Sequence, residues 1–242
     1  MPRKAKGIVE QRSLFLKGCK FIHKAQKKHC EGGFGILGID PAINSTGYAF
    51  RKSQASGVKT GTITSSTYGF SRLIKIETAF RKILDQKRFA PFVVIEGYAM
   101  NATWGREAAG ELGGVIRRLL YFKKRPLLVV SPLTLKAWVK AKKKEHIMLE
   151  ILDRFGVKIS NSDAADAFIL QDIGFRCLLM VHCVIKENLN DPEDVRVFFK
   201  GEEYKDTDGL EKLFKYQANS LFKIILNQGS YAEFFLKARP EL

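Results

Sequence analysis

The chain has 242 residues, which is long enough for one domain with terminal additions. Its 45% hydrophobic and 27% charged residues are ordinary for a globular protein and exclude a wholly disordered chain. The charge is unusual, because 41 Lys and Arg against 25 Asp and Glu leave a net charge of +16, and this predicts a polyanionic partner.

Residues 1–33 predict a basic N-terminal arm, with nine Lys and Arg against two acidic residues. An Arg-rich organelle transit peptide is the alternative, but Lys dominates and Ser is scarce, which favours an arm that faces DNA. The arm contains four residues of the types that bind metals within twelve positions: Cys19, His23, His29 and Cys30. Structural zinc sites usually separate two ligand pairs by a loop, so we expect reduced structural thiols and leave a zinc site as the alternative.

Three β-like segments follow the arm. Phe34–Ile39 is a short apolar run that ends at Asp40, and a turn-rich segment separates it from Gly47–Lys52 and Val58–Ser65. These three segments predict an antiparallel meander. Apolar residues then recur at helical spacing over residues 71–87.

A second run of elements alternates strand and helix. Residues 91–95 form a continuous apolar run that ends at Glu96, which is typical of a buried strand. The remaining patterns predict a strand at Leu127–Val130 and helices at 103–122, Leu133–Val139, His146–Phe155 and Asp163–Leu179. This order predicts an α/β fold in which helices cover a mixed sheet, spanning residues 34–180.

Residues 181–242 predict a C-terminal extension. Residues 190–209 are polar and turn-rich, and apolar residues at helical spacing over 210–238 predict helices. The extension has nine basic and eleven acidic residues, so residues 1–180 hold a net charge of +18. We therefore expect the polyanion to bind within residues 1–180.

Four acidic residues form the candidate site. Asp40 and Glu96 each end an apolar strand, where open α/β sheets place their ligands, and Asp163 and Asp166 share one face of a helix. Four converging carboxylates repel each other unless they are protonated or bind divalent metal, and their hard oxygens select Mg²⁺ or Mn²⁺. Two such ions about 4 Å apart catalyse in-line phosphoryl transfer. Asp163 has a second interpretation as an acid that stabilises a helix N-terminus.

The segment from Gly113 to Lys144 contains ten Lys and Arg and no acidic residue. A basic stripe beside the carboxylates would bind phosphates, and a solvated basic face is the alternative. The predicted DNA-binding residues in this stripe are Arg117, Arg118, Lys136, Lys140, Lys142, Lys143 and Lys144.

Three motifs resemble those of RuvC-type Holliday junction resolvases, including phage-encoded ones. The first is Gly38-Ile39-Asp40-Pro41-Ala42 with Asn44, Thr46 and Gly47; the others are Ile95-Glu96-x-Tyr98-Ala99 and Ser162-Asp163-Ala164-Ala165-Asp166-Ala167. The resemblance covers about residues 34–180. It implies a ribonuclease H-like fold with a five-stranded sheet, a homodimer, and symmetric nicking of four-way DNA junctions with two Mg²⁺ or Mn²⁺ ions per active site. The catalytic and metal-binding roles of the family carry over to Asp40, Glu96, Asp163 and Asp166.

The resemblance also implies DNA-contacting residues. Pro132, Lys136 and Lys144 correspond to a proline and two lysines that hold DNA in the family, although residues 137–143 replace the family's glycine-rich turn. Many bacterial members carry an aromatic residue three positions after the glutamate, where this chain has Ala99. Tyr98 or Trp104 would then stack on bases at the junction centre. The stretch Ala108-Ala109-Gly110 with Gly113-Gly114 resembles the family's dimer helix, and close packing onto the sheet is the alternative.

The sequence is also compatible with other functions. A relative that cuts flaps, forks and other branched DNA with little sequence preference would carry the same residues, as would a non-catalytic junction-binding protein. The segment 38–47 also resembles the phosphate loop of actin-like or sugar-kinase ATPases, but those proteins need two such domains, for which 242 residues are too few. No apolar run reaches the about 18 residues of a membrane span, so we expect a soluble intracellular protein without a membrane partner or small-molecule cofactor.

Overall fold

The structure is a computed structural model that describes residues 19–20, 35–52, 57–85, 92–97, 106–123, 125–141, 143–189, 197–199, 202–204 and 224. The chain divides into two compact units, one of residues 29–174 and one of residues 1–28 with 175–242. The predicted N-terminal arm lies outside the described residues except for Cys19 and Lys20, which are helical. The predicted domain of residues 34–180 stays a prediction.

A mixed five-stranded sheet forms the centre of the first unit, as the sequence predicts. Its strands are β1 (Ile36–Asp40), β2 (Ser45–Arg51), β3 (Lys59–Thr64), β4 (Phe92–Glu96) and β5 (Leu127–Val130). The strand order is β3-β2-β1-β4-β5, with β1, β2 and β3 antiparallel and with β4 parallel to both β1 and β5. The meander of the first three strands and the buried strand before Glu96 are thereby confirmed.

Five helices accompany the sheet in the described part of the chain: α1 (Gly69–Leu84), α2 (Arg106–Phe122), α3 (Pro132–Trp138), α4 (Lys144–Phe155) and α5 (Ser162–Leu189). Their ends follow local signals. Ser131 accepts a hydrogen bond from the backbone N–H of Thr134 and so caps α3. Gly156, with φ of 65°, ends α4 in the left-handed conformation that glycine adopts readily. Helix α5 continues ten residues beyond its predicted end at Leu179.

The two faces of the sheet are covered by different helices. Leu37, Ile39, Val93 and Ile95 point to one face, where they are buried against α1 and α2. The helices contribute a complementary apolar set to this core: Ile76, Phe80, Leu84, Leu112, Ile116, Leu119 and Leu120. Because side chains alternate along a strand, Ile36, Gly38 and Asp40 point to the other face.

The first part of α5 packs on that other face, and two glycines permit the close approach. A Cβ built on Gly38 would lie within 3.0 Å of the Ala167 carbonyl oxygen and 2.7 Å from the Gln171 backbone nitrogen. A Cβ on Gly174 would likewise collide with Val94 and crowd Ile36. The helix backbone therefore lies directly on β1 and β4, at a distance that side chains at these positions would prevent.

The second unit contains the remainder of α5 and a short hairpin. Strands β6 (Val197–Phe199) and β7 (Glu202–Tyr204) pair antiparallel, within the segment for which the sequence predicts only polar turns. In the predicted helical segment 210–238, Ile224 is helical and the other residues lie outside the described part of the chain. Cys19 and Cys177 are buried, free thiols. None of the described helices is long and apolar enough to cross a membrane.

Candidate active site

Asp40 and Glu96 are the last residues of neighbouring parallel strands. Ile39 pairs with Ile95, so the next residue in each strand is an acid. Adjacent strands lie about 4.8 Å apart, and residues at the same level of parallel strands point to the same face. Asp40 is 5% exposed and Glu96 is half-buried. Both acids therefore lie at one edge of the sheet, on the face that α5 covers.

The N-terminus of α5 lies at the same edge. Gly47 pairs with Asp40 across β1 and β2, and a Cβ on Gly47 would lie within 3.0 Å of the Asp163 carbonyl oxygen and 2.9 Å from the Ala164 nitrogen. The first turn of α5 therefore rests on the strand position directly opposite Asp40. This contact exists only because residue 47 has no side chain.

The length per residue of β1 and of α5 shows that Asp166 lies at this edge as well. Gly174 lies over Ile36, and β1 extends from Ile36 to Asp40 over about 13 Å. A helix covers that distance in about nine residues. The part of α5 that is nine residues before Gly174, between Asp163 and Asp166, is therefore level with Asp40. Asp166 is 7% exposed, so this acid is buried where the strands end.

Local hydrogen bonds hold the loops that carry these acids. The Asn161 side chain accepts hydrogen bonds from the backbone nitrogens of Asp163 at 2.9 Å and Ala164 at 3.1 Å, which makes it the cap of α5. Asp163 is an acid of the first turn, so its predicted role in stabilising the helix N-terminus is compatible with a place in the site. The Thr46 hydroxyl, which is fully buried, donates to the Ala42 carbonyl and closes the loop after Asp40.

The backbone thus brings all four predicted catalytic acids to one edge of the sheet. Their carboxylate oxygens are the hard donors that Mg²⁺ and Mn²⁺ prefer, so the residue types fit these ions. In the described ranges, no three His, Cys, Asp or Glu side chains are grouped closely enough to hold a metal ion. The catalytic and metal-binding roles of these acids stay predictions.

Lys136 lies on a helix that begins beside the acidic edge. Helix α3 follows β5, whose last residue pairs with Glu96, and the Gly97 nitrogen donates to the Val130 carbonyl at 2.7 Å. The Lys136 side chain is exposed. The placement is compatible with the predicted phosphate contact.

A buried hydrogen bond attaches the end of α3 to α5. Trp138 is 3% exposed and Asp172 is 6% exposed, and the indole Nε1 donates to the Asp172 carboxylate at 3.1 Å. Burial lowers the pKa of the Arg51 guanidinium from its ordinary value, and the charge of Asp172 opposes this shift. Asp172 therefore interacts with groups from α3 and β2, and it lies on the helix that carries Asp163 and Asp166.

The other predicted DNA-binding residues are placed differently. Lys140, with φ of 52°, and Lys143 are exposed between α3 and α4. Lys144 begins α4, but its side chain and all of Lys142 lie outside the described residues, as do Tyr98 and Trp104.

Arg117 and Arg118 are on α2, which packs on the opposite face of the sheet. They lie in the half of α2 that leads to the start of β5, and the start of a strand parallel to β4 is at the edge opposite Glu96. Arg118 is exposed, with its guanidinium 5.0 Å from the centre of the Phe122 ring. The structure therefore does not bring these two arginines together with the four acids.

Sequence reasoning also missed two aromatic residues near this edge. Tyr68 directly precedes α1 and Phe70 is its second residue, and they are 83% and 74% exposed. The signal was an aromatic pair next to Arg72 at a position where the helical apolar pattern had not yet begun.

Comparison with known proteins identifies the architecture. No family model and no curated protein matches the sequence. Among solved structures, Thermus thermophilus RuvC in complex with a Holliday junction substrate aligns with a TM-score of 0.51 and 17% identity over 61% of this chain and 97% of that one. The chain has the ribonuclease H-like fold. The resemblance seen in the three acidic motifs is thereby confirmed at the level of the fold.

Two further solved structures align more loosely. Another Thermus thermophilus RuvC structure has a TM-score of 0.45 and 18% identity over 65% of this chain and 97% of that chain. The Fowlpox virus resolvase in complex with Holliday junction DNA has a TM-score of 0.37 and 16% identity over 60% of this chain and 99% of that chain.

Proposed function

We propose that this protein is a metal-dependent, structure-selective DNA endonuclease that resolves four-way junctions by paired nicking. The observation that carries the proposal is the meeting of Asp40, Glu96 and the first turn of α5 at one edge of a ribonuclease H-like sheet. A structural neighbour with a TM-score of 0.51 is a RuvC bound to a Holliday junction substrate, which supports the choice of DNA substrate.

The four acids would act as the metal-binding group of this enzyme. Two Mg²⁺ or Mn²⁺ ions would activate the attacking water and stabilise the leaving oxygen of the phosphodiester. Asp40 and Asp166 are buried among backbone elements, so they would hold fixed positions, whereas the half-exposed Glu96 and Asp163 would face the entering DNA. Metal binding would require these side chains to turn toward one another from their present arrangement.

Basic residues would bind the DNA backbone beside the acids. Lys136, Lys140 and Lys143 are exposed on the segment that follows β5, and the first 180 residues carry the positive charge of the chain. Lysines that neutralise phosphates supply affinity without reading sequence, so selectivity for branched DNA has to come from the shape of the protein surface.

We also propose a homodimer that packs through α2. Gly110 and Gly114 are four residues apart and therefore share one helix face, and a Cβ on either would meet no atom within 4 Å. A second helix can approach such a face closely. A four-way junction has two symmetry-related scissile phosphates, which a two-fold enzyme matches.

Cleavage of a synthetic four-way junction tests the proposed activity. We expect paired nicks with Mg²⁺ and none with EDTA, and we expect Asp40→Asn, Glu96→Gln and Asp166→Asn to abolish cleavage while junction binding persists, because affinity comes mainly from Lys and Arg. Asp153→Asn on an exposed face of α4 is the matched control and should cleave like the wild type.

Three results would contradict the proposal. Equal cutting of flaps, forks and junctions would identify a general branched-DNA nuclease, and junction binding without cleavage by the wild type would identify a non-catalytic binding protein. A monomeric mass by light scattering, with and without junction DNA, would contradict the homodimer.

A further inference from the structure

Two large aromatic side chains of a kind that proteins normally bury are exposed at the start of α1. Tyr68 is 83% exposed and Phe70 is 74% exposed, and Ile74, one helical turn after Phe70, is 49% exposed. Arg72 lies with its guanidinium carbon 5.2 Å from the centre of the Tyr68 ring. We call Tyr68, Phe70 and Arg72 the aromatic surface. A cluster of exposed aromatic residues of this kind marks a binding surface.

The aromatic surface lies at the same edge of the sheet as the four acids. Strand β3 ends at Thr64, which pairs with Ser45 at the start of β2, and β2 begins five residues after Asp40. The Arg72 Nη1 donates to the Ile43 carbonyl at 3.2 Å, in the loop between Asp40 and β2. The segment that carries Tyr68 is therefore attached to the loop that follows Asp40.

Hydrogen bonds order the segment that leads to Tyr68 and fix the Arg72 side chain against it. Arg72 Nε donates to the Thr67 carbonyl at 2.8 Å, and the Ser65 and Thr67 hydroxyls are 2.7 Å apart. The Thr67 backbone nitrogen also donates to the Ser65 hydroxyl at 3.3 Å. Because these contacts order the segment in advance, a ligand that stacks on the rings would lose little additional conformational freedom.

The chemistry around the rings favours a nucleic acid. The first turn of α1 has no acidic residue, and Arg72 and Lys75 follow the two aromatics. Aromatic rings interleaved with basic residues are how proteins bind unpaired bases, since the rings stack on base faces while the cations attract the backbone. Among the described residues of α1, Ile74 is the one large exposed apolar side chain besides Phe70, so the surface offers rings and cations and no wide apolar patch.

We propose that the aromatic surface binds an unstacked base of branched DNA next to the cleavage site. The proposal rests on the proposed nuclease function and adds a base-stacking position that the three acidic motifs do not contain. Tyr68 and Phe70 provide the stacking rings, and Arg72 orients Tyr68 and the loop after Asp40. The rings would hold a base away from its neighbours and thereby distinguish a branch point from a continuous duplex.

The experiment measures binding of a four-way junction and of a matched duplex by Tyr68→Ala, Phe70→Ala and the double variant. The junction carries the fluorescent base 2-aminopurine at its centre, and stacking on an aromatic ring quenches this base. We expect each single variant to bind the junction about 5- to 100-fold more weakly, as the loss of one base–aromatic stack predicts. Duplex affinity and the salt dependence of binding should stay unchanged, because no phosphate contact is removed.

Two control sets keep the result specific. Tyr68→Phe and Phe70→Tyr retain a ring and should retain both affinity and quenching. Leu149→Ala removes a comparably exposed apolar side chain on α4, 62% exposed, and should bind as the wild type does.

The outcomes separate this proposal from the nuclease function. If the wild type binds and cleaves junctions but the double variant matches it in affinity and quenching, the aromatic surface alone is refuted. If the double variant instead becomes monomeric with unchanged DNA affinity per protomer, the surface is a contact between copies of the chain and the proposal is also overturned. A wild type that binds no branched DNA refutes both proposals.

Discussion

Replacing Gly47 by alanine should strongly reduce the proposed nuclease activity while destabilising the fold only moderately. The added Cβ would lie 2.9 Å from the Ala164 nitrogen and even closer to the Asp163 carbonyl group. Ordinary contacts for such a carbon are 3.4–4 Å. The first turn of α5 must therefore move outward by at least 0.5 Å from Ala164, and by about 1 Å or more from the carbonyl group that is closest.

The expected magnitudes follow from this displacement. Overpacking of this kind typically costs about 1–3 kcal/mol in the free energy of unfolding. A shift of about 1 Å in a catalytic group can lower the rate about 100-fold. Because α5 carries Asp163 and Asp166, Gly47→Ala would move both acids away from Asp40 and Glu96.

The measurement pairs cleavage with stability. We would determine the single-turnover rate of junction cleavage at saturating Mg²⁺, and the free energy of unfolding from urea denaturation. Gly57→Ala is the matched control, because a Cβ there meets no atom within 4 Å, and it should leave both quantities near the wild type. A Gly47→Ala variant with wild-type cleavage and stability would refute the argument that this glycine sets the position of the acids.

Three further predictions concern the Trp138–Asp172 hydrogen bond, the exposed lysines and the buried Cys19 thiol. Trp138→Phe removes the hydrogen bond from the indole to the buried Asp172 carboxylate, so the free energy of unfolding in urea should fall by about 1–3 kcal/mol, and an unchanged value would count against this anchor. Lys136→Ala and Lys143→Ala should each lower the slope of log K against log salt by about one unit for junction and duplex alike, and unchanged slopes for both would leave a solvated basic face. Burial raises the pKa of Cys19 to about 12 from 9.0, so between these pH values the unfolded chain loses a proton that the native chain keeps, and stability should fall as pH rises. Cys19→Ala should flatten that decline in pH-dependent denaturation, and an identical slope would show that another group controls it.

Local pattern was sufficient to predict the elements around the site. Strands β1, β4 and β5 have continuous apolar runs, and Leu127–Val130 has the predicted bounds. The acids at the ends of β1 and β4 could be selected because a charged residue directly after a buried strand has to lie at a sheet edge. The pattern did not predict the ten additional residues of α5 or the hairpin of β6 and β7.

Which residues meet was decided by the tertiary structure. Arg117 and Lys136 belong to one basic segment of the sequence, yet they lie on different helices. Arg117 is on α2, which leads to the start of β5, and Lys136 is on α3, which follows the end of β5. In the opposite sense, Tyr68 is 28 residues from Asp40 and shares its sheet edge through the pairing of β2 and β3. Separation along the chain therefore predicted neither relation.

The sequence by itself determined the residue types of the site and the elements that carry them, because hydrophobic period, turn residues and caps act within a few positions. The tertiary structure decided that Asp40, Glu96, Asp163 and Asp166 lie at one edge of the sheet, because this placement depends on strand register and on three glycine contacts between distant parts of the chain. A glycine's lack of a side chain is visible in the sequence, but what occupies the space beside Gly38, Gly47 and Gly174 is not. Only the packing of α5 on the sheet shows that the backbone of α5 lies against Gly38 and Gly47, and that the side chains of Val94 and Ile36 lie against Gly174.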